Sequence, residues 1–132
     1  MKRAAALLLA AASSLAAAAD ALDVPLAAAG DAARGREVFR SREQGHCVIC
    51  HVAAGMVPAG NLGPTLDGVG ARFTAAQLRQ RVVDITAVKP DAAMPAFHRS
   101  EGLNRVAAAY AGKTLLDAQQ VEDLVAFLGG LK

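Results

Sequence analysis

Two cysteines three residues apart with a histidine directly after them, Cys47-Val48-Ile49-Cys50-His51, constrain this chain more than any other feature. The spacing reads as a c-type haem attachment site. Its physical reason is reach. From one tight turn of backbone, two sulfurs must bond to the vinyl groups of a porphyrin while the next residue sets an imidazole nitrogen beneath the iron. On this reading Cys47 and Cys50 form the thioethers and His51 is the first axial ligand. Competing readings fit less well. A zinc ribbon needs a second Cys or Cys/His pair at ligand spacing, and the chain has only two cysteines. A thioredoxin-like pair belongs at the end of a strand in a βαβ pattern, which is not visible here. A plain disulfide leaves the adjacent histidine unexplained.

The address follows from the other end of the chain. Met1-Lys2-Arg3 is a short basic region, Ala4 to Leu15 is apolar, and Ala16 to Ala19 offers small residues for cleavage, so residues 1–19 read as an export signal. The apolar run is too short for a transmembrane helix, which needs about 20 such residues. Thiols also meet haem outside the cytoplasm, which in bacteria means the periplasm, so both features predict a periplasmic product. Of the 14 Lys and Arg residues two lie in the signal, and the remaining 12 match the 12 Asp and Glu. The overall basicity therefore belongs to the signal, and no nucleic-acid or membrane partner is expected from it. The chain has no Trp, and a buried haem would supply the large apolar plate that aromatic residues do not.

Downstream of the signal the pattern predicts helices and loops, with no convincing strand. Residues 20–30, Ala-rich with Pro25, read as an extended arm, either disordered or tied to a partner, since Val24-Pro25-Leu26 has no obvious place to pack. Residues 31–132 read as one monohaem domain. Asp31 is placed to cap a helix over Ala32 to about Ser41, with Gly35 and Phe39 on one face. A mid-helix glycine costs stability, and close approach of another helix is a common reason to keep one. A Gly/Pro-rich loop runs from Ala53 to Gly70. Thr74-Ala75-Ala76-Gln77 fits a capping box, with Leu78, Val82 and Ile85 as a buried stripe and Pro90 as the end of the segment. A second loop, Asp91 to His98, carries Met94-Pro95, and Gly102 to Lys113 is ambiguous. From Asp117 a last helix buries Val121, Leu124, Val125 and Leu128, and Gly129-Gly130 stops it. Long loops in a small domain are usually functional.

Candidates for the second iron ligand are Met56, Met94, His46 and His98. Met56 and His46 lie five residues from His51. They would have almost no slack to pass around a plate over ~10 Å across. Met94 follows His51 by 43 residues, room enough for one helix and two loops, and Pro95 stiffens its loop. Met94 ranks first and His98 second. A His/His pair would set a lower potential than His/Met, because a thioether ligand raises it.

These residues together resemble a known family. Gly-x-x-x-Phe in a first helix, Cys-x-x-Cys-His, Gly-Pro-x-Leu, Met-Pro and a C-terminal helix are similar to class I cytochromes c, which implies an all-α fold of helices and long loops around one covalently bound haem c. The resemblance implies that the first and last helices cross closely, with Gly35 and Phe39 against Leu124 and Phe127. It also implies that the Pro64 carbonyl orients His51, a support that tunes ligand basicity.

A narrower resemblance runs from about residue 45 to the end. Gly60-Asn61-Leu62-Gly63-Pro64, Gly68-Val69-Gly70-Ala71-Arg72, Val83-Asp84-Ile85, Met94-Pro95-Ala96-Phe97, Gly102-Leu103-Asn104-Arg105-Val106, Gly112-Lys113 and Val121-Glu122-Asp123 are similar to the SoxX subunits of SoxAX cytochromes. Lys89-Pro90-Asp91 departs from the Asn-Pro usual in that family. The resemblance implies a SoxA-like partner in a heterodimer. It implies a reaction in which thiosulfate is conjugated oxidatively to a cysteine of the SoxYZ carrier, with two electrons passing on to a soluble cytochrome c. In that family the catalytic haem carries a cysteine persulfide on SoxA. With both its cysteines committed to thioethers, this chain can supply no such ligand, and electron acceptance is the task left to it.

Two other functions compete with this one. A free-standing electron shuttle differs only in lacking a permanent partner. A haem enzyme or gas sensor needs an open iron position, and a dihaem peroxidase needs a second Cys-x-x-Cys-His, which is absent.

Overall fold

The computed structural model describes residues 22–53, 55–57 and 60–132; the export signal expected at residues 1–19 lies outside them. Four α-helices and three single 3₁₀ turns are the regular structure of the described chain: α1 (Ala32–Arg40), α2 (Val69–Arg72), α3 (Ala75–Asp84) and α4 (Ala118–Gly130). No strand occurs among the described residues, and none of their helices is long and apolar enough to cross a membrane.

The helix starts are where local chemistry puts them. The Asp31 carboxylate accepts the Arg34 N–H, and Thr74 with Gln77 and Asp117 with Gln120 each close a full capping box. Each such cap contributes about 1 kcal/mol by pairing an N–H that the first turn leaves free. The ends differ from expectation. α3 stops at Asp84, before Pro90, because the Asp84 carboxylate takes the Thr86 N–H and tightens the chain into a 3₁₀ turn over Ile85–Ala87. Ile85 is consequently half-buried rather than a full core residue. α4 runs through Gly129 and Gly130 instead of stopping there. Its end is held from outside: Leu131 O accepts the Gly70 N–H at 2.9 Å, and Lys132 Nζ reaches Gly70 O at 2.8 Å. The same contacts order α2 inside the expected loop.

α4 is the element on which the others pack. Its Val121, Leu124, Val125, Phe127 and Leu128 are buried with Val38, Phe39, Leu78, Val82 and Leu116 in one apolar cluster. Each such side chain adds about 1.5–3 kcal/mol when removed from water. α1 crosses α4 at Gly35, where a Cβ would come within 1.9 Å of the Asp123 carbonyl. The Phe39 and Phe127 rings meet beside it, with centroids 5.4 Å apart and planes tilted by 58°. Phe127 is a partner the family resemblance implied, while at Gly35 the backbone met is that of Asp123, next to the expected Leu124.

Two acids on α4 turn inward. Glu122 accepts Arg79 Nε at 2.6 Å and Nη2 at 2.8 Å, and both side chains are 4% exposed. Asp123 accepts Arg34 Nε and Nη2 at 2.7 and 2.8 Å and the Asp31 N–H at 2.8 Å. The Glu122 pair also holds the segment before α1. Arg79 Nη1 donates to Leu22 O, Leu26 N–H donates to Glu122, and the Leu26 side chain packs on the core. The expectation that the arm has no place to pack is thereby corrected for residues 22–30. Their polar backbone groups are met by a buried ion pair that the sequence did not reveal.

The Arg34 hydrogen bonds hold the Asp123 carboxyl at about 2, below its ordinary 3.8, against the opposing cost of burial. The folded state thus binds fewer protons than the unfolded state between these values. The resulting stabilisation of about 2 kcal/mol is complete above the ordinary carboxylate pKa and is lost as pH falls through about 2. Unfolding followed from pH 5 downward is expected to show this loss, with a clearly flatter pH profile for Asp123→Asn.

Candidate haem-binding site

The Cys47–His51 segment leaves α1 through Gly45, whose N–H donates to Val38 O at 3.0 Å. His46 then takes a left-handed conformation, φ 47°, and a 3₁₀ turn spans Cys47–Ile49. That turn stacks the motif on itself: Cys50 and His51 N–H both donate to Cys47 O, at 3.1 and 2.9 Å. Cys47 and Cys50 are half-buried and unbridged. Burial pushes the Cys47 thiol up to about 12. No cluster of three or more His, Cys, Asp or Glu side chains among the described residues could hold a bare metal ion.

The next loop folds back along this turn. Gly60 N–H donates to Val48 O, Gly63 N–H to Cys50 O and Leu66 N–H to Val52 O, each at 2.8 Å. That pairing carries Pro64 under the imidazole, and Pro64 O lies 2.8 Å from His51 Nδ1. A carbonyl can only accept, so Nδ1 holds the ring proton and Nε2 keeps its lone pair. Gly63 is the part of this arrangement the sequence reading gave no role. A Cβ there would sit 2.4 Å from His51 Cε1, so only glycine lets the loop lie flat against the ring. Its one sequence signal is its place directly before Pro64.

These features fit a covalently attached haem. Two thiols and a ring nitrogen with a free lone pair come from one turn, and the ring is fixed in angle by a carbonyl on one edge and a glycine against its side. Ile49 and Leu62, 61% and 75% exposed, offer apolar surface on the same turn and loop.

The four second-ligand candidates fall in different settings. Met56 is buried in the core cluster, 7% exposed. Met94 is half-buried and packs against that cluster from outside. Its loop ends on α3, where Phe97 and His98 N–H donate to Val82 O and Val83 O at 3.3 and 3.2 Å. The His98 ring is engaged through Nδ1 with Leu116 O at 2.8 Å. His46 occupies the strained position before the 3₁₀ turn. The structure thus gathers Cys47, Cys50, His51 and Pro64 into one unit, while Met94 belongs to a separate loop.

Comparison with known proteins agrees with this geometry. The cytochrome c family model matches residues 32–132. The crystal structure of SoxXA from P. pantotrophus is similar at 36% identity over 80% of this chain and 84% of that one, with a TM-score of 0.72. The c-type cytochrome SorU from Sinorhizobium meliloti shares the fold at 22% identity, over 75% of this chain and 87% of that one, with a TM-score of 0.50. No curated protein sequence gave a match. The chain belongs to the cytochrome c family, as a SoxX-type electron-transfer cytochrome with one covalently bound haem c.

Proposed function

We propose that this chain is the electron-accepting subunit of a periplasmic SoxAX-type heterodimer. In this reading a SoxA-like partner conjugates thiosulfate to a cysteine of a SoxYZ-type carrier. A sulfur–sulfur bond forms, the carrier thiol loses its proton, and two electrons leave by way of this chain to a soluble cytochrome c. The cysteine inventory carries the reading. The chain has two cysteines, both in the attachment turn, so it has no sulfur left for chemistry of its own. The likeness to SoxXA over most of both chains supports the choice of partner.

The residues divide the work. Cys47 and Cys50 would anchor the cofactor and His51 would ligate the iron through Nε2, with Nδ1–H held by Pro64 O. Met94 would supply the second ligand to the iron, leaving no open position for a substrate. When bound, the haem provides a one-electron redox centre whose potential a thioether ligand raises. An electron pair therefore leaves in two successive transfers.

One observation favours a second reading, a free-standing shuttle. The segment 22–30 is held by Arg79, Glu122 and Gln119 of its own chain, so it gives no argument for a permanent partner. Mixing the haem-loaded protein with a SoxA-type subunit, a SoxYZ-type carrier and thiosulfate separates the two. The proposal expects a one-to-one complex on gel filtration and haem reduction that needs all three components. A protein that stays monomeric, and is reduced no faster with them than without them, is the shuttle.

A further inference from the structure

The chain between His98 and Leu115 forms a long excursion with a single 3₁₀ turn, Ala108–Tyr110, as its only regular structure. Loops beyond about 12–15 residues without structure of their own are uncommon in compact domains and are usually functional. This one is closed at its base. Leu116 N–H donates to Phe97 O and His98 Nδ1 pairs with Leu116 O, both at 2.8 Å, while Arg99 Nη1 meets the Asp84 carboxylate at 2.5 Å. Above that base every residue from Asn104 to Lys113 is exposed, so the loop does not serve the core.

Its inner side forms a cleft of about 320 Å³ against Pro95 and Ala96. Three cations line it, Arg99, Arg105 and Lys113, and no carboxylate does. The loop's one acid, Glu101, is not among the lining residues. Asp84 already neutralises Arg99, which leaves Arg105 and Lys113 as the cations that set the local potential. Arg105 adopts φ 57°, a left-handed conformation that a non-glycine residue takes only at a cost in backbone energy. Between the charges lie exposed apolar groups: Val106 at 39%, Tyr110 at 57% and Leu115 at 47%. Tyrosine and arginine around an apolar patch are the residue types that dominate binding energy at protein interfaces.

We infer that the cleft under the 98–115 loop docks an acidic segment of a partner protein, its carboxylates meeting Arg105 and Lys113 and an apolar side chain lying on Val106, Tyr110 and Leu115. The complementary charge selects a protein anion, and the exposed apolar floor separates it from a site for a bare inorganic ion. The inference stands on this surface and not on which reaction supplies the electrons. It places a partner against Pro95, next to Met94 in the chain.

The test uses nitrogen-15-labelled, haem-loaded protein titrated with a pentapeptide alternating aspartate and leucine. Saturable amide shifts confined to residues 96–115 are expected, with affinity lowered about tenfold by Arg105→Glu with Lys113→Glu. Binding is expected to vanish in about 1 M salt, where charges are screened beyond ~3 Å. Tyr110→Ser, which keeps every charge, is expected to weaken binding several-fold and covers the case in which the charge-reversed variant loses its haem spectrum. The inference is overturned by any of three results: no saturation, shifts centred on residues 47–63, or equal binding of an asparagine–leucine peptide. Sulfate alone binding as tightly as the peptide also overturns it, in favour of a small-anion site.

Discussion

Glu122→Ala is expected to destabilise the haem-loaded protein by about 3–5 kcal/mol, read as a shift in its denaturant midpoint at unchanged slope. The loss comes mostly from what remains. Without Glu122 the Arg79 guanidinium, 4% exposed, is a buried cation whose Nε and Nη2 have lost their acceptors. The Leu26 N–H loses its acceptor too, so the segment before α1 is released at the same time. Burial works against the charged carboxylate of Glu122, yet the Arg79 hydrogen bonds together with the Leu26 N–H hold its pKa below the usual range. Breaking a buried pair is far more damaging than replacing both partners by apolar groups of similar volume. Arg79→Met with Glu122→Met is therefore expected to lie within about 1 kcal/mol of the native protein, apart from the contribution of the arm. A double-mutant cycle with a strongly negative coupling energy checks the account. Additive effects would mean the two groups are solvated.

Gly35→Ala is the second large effect. In an exposed helix interior this change gains about 1 kcal/mol, because alanine is the better helix former. Here the added methyl would lie 1.9 Å from the Asp123 carbonyl oxygen and 2.8 Å from Phe127 Cβ. Neither is the loose end of a flexible side chain, so α1 must move off α4. That separates Phe39 from Phe127 and stretches the Arg34–Asp123 bonds. A loss of about 3 kcal/mol is expected. Gly129 gives the contrast: nothing lies within 4 Å of a Cβ placed there, and Gly129→Ala is expected to stabilise by up to about 1 kcal/mol. Thermal unfolding of the two variants side by side distinguishes close packing from glycine loss as such.

The parts of this molecule that were legible in its sequence are those fixed by short-range chemistry. Asp31, Thr74 and Asp117 mark helix starts because a side chain meets an N–H two or three residues away. Cys47, Cys50 and His51 are readable because the turn that presents them is five residues long. Gly35 advertised a close approach by sitting where a helix should not have it. The remainder depends on residues far apart in the chain. Arg79 and Glu122, 43 positions apart, each look like an ordinary surface charge on a helix, and only the packing of α3 on α4 turns both inward. Leu26 seemed to lack a neighbour because its neighbours lie at the other end of the chain. α2 and the extra turn of α4 exist because residue 70 meets residues 131 and 132. Gly63 was visible as part of a motif, but its purpose appears only when the His51 ring is seen lying on it.

We propose that His51 and Met94 both ligate the haem iron, which would leave it no open position for a substrate. The most direct measurement is the ferric spectrum and midpoint potential of haem-loaded Met94→Leu beside Met56→Leu. Met94→Leu is predicted to lose the weak long-wavelength band of sulfur–iron ligation, to bind carbon monoxide rapidly, and to fall in potential by roughly 0.2 V, within the ~0.8 V span that axial ligands cover. Met56→Leu is predicted to keep the band and the potential. A Met94→Leu protein with an unaltered spectrum and potential would contradict the proposal.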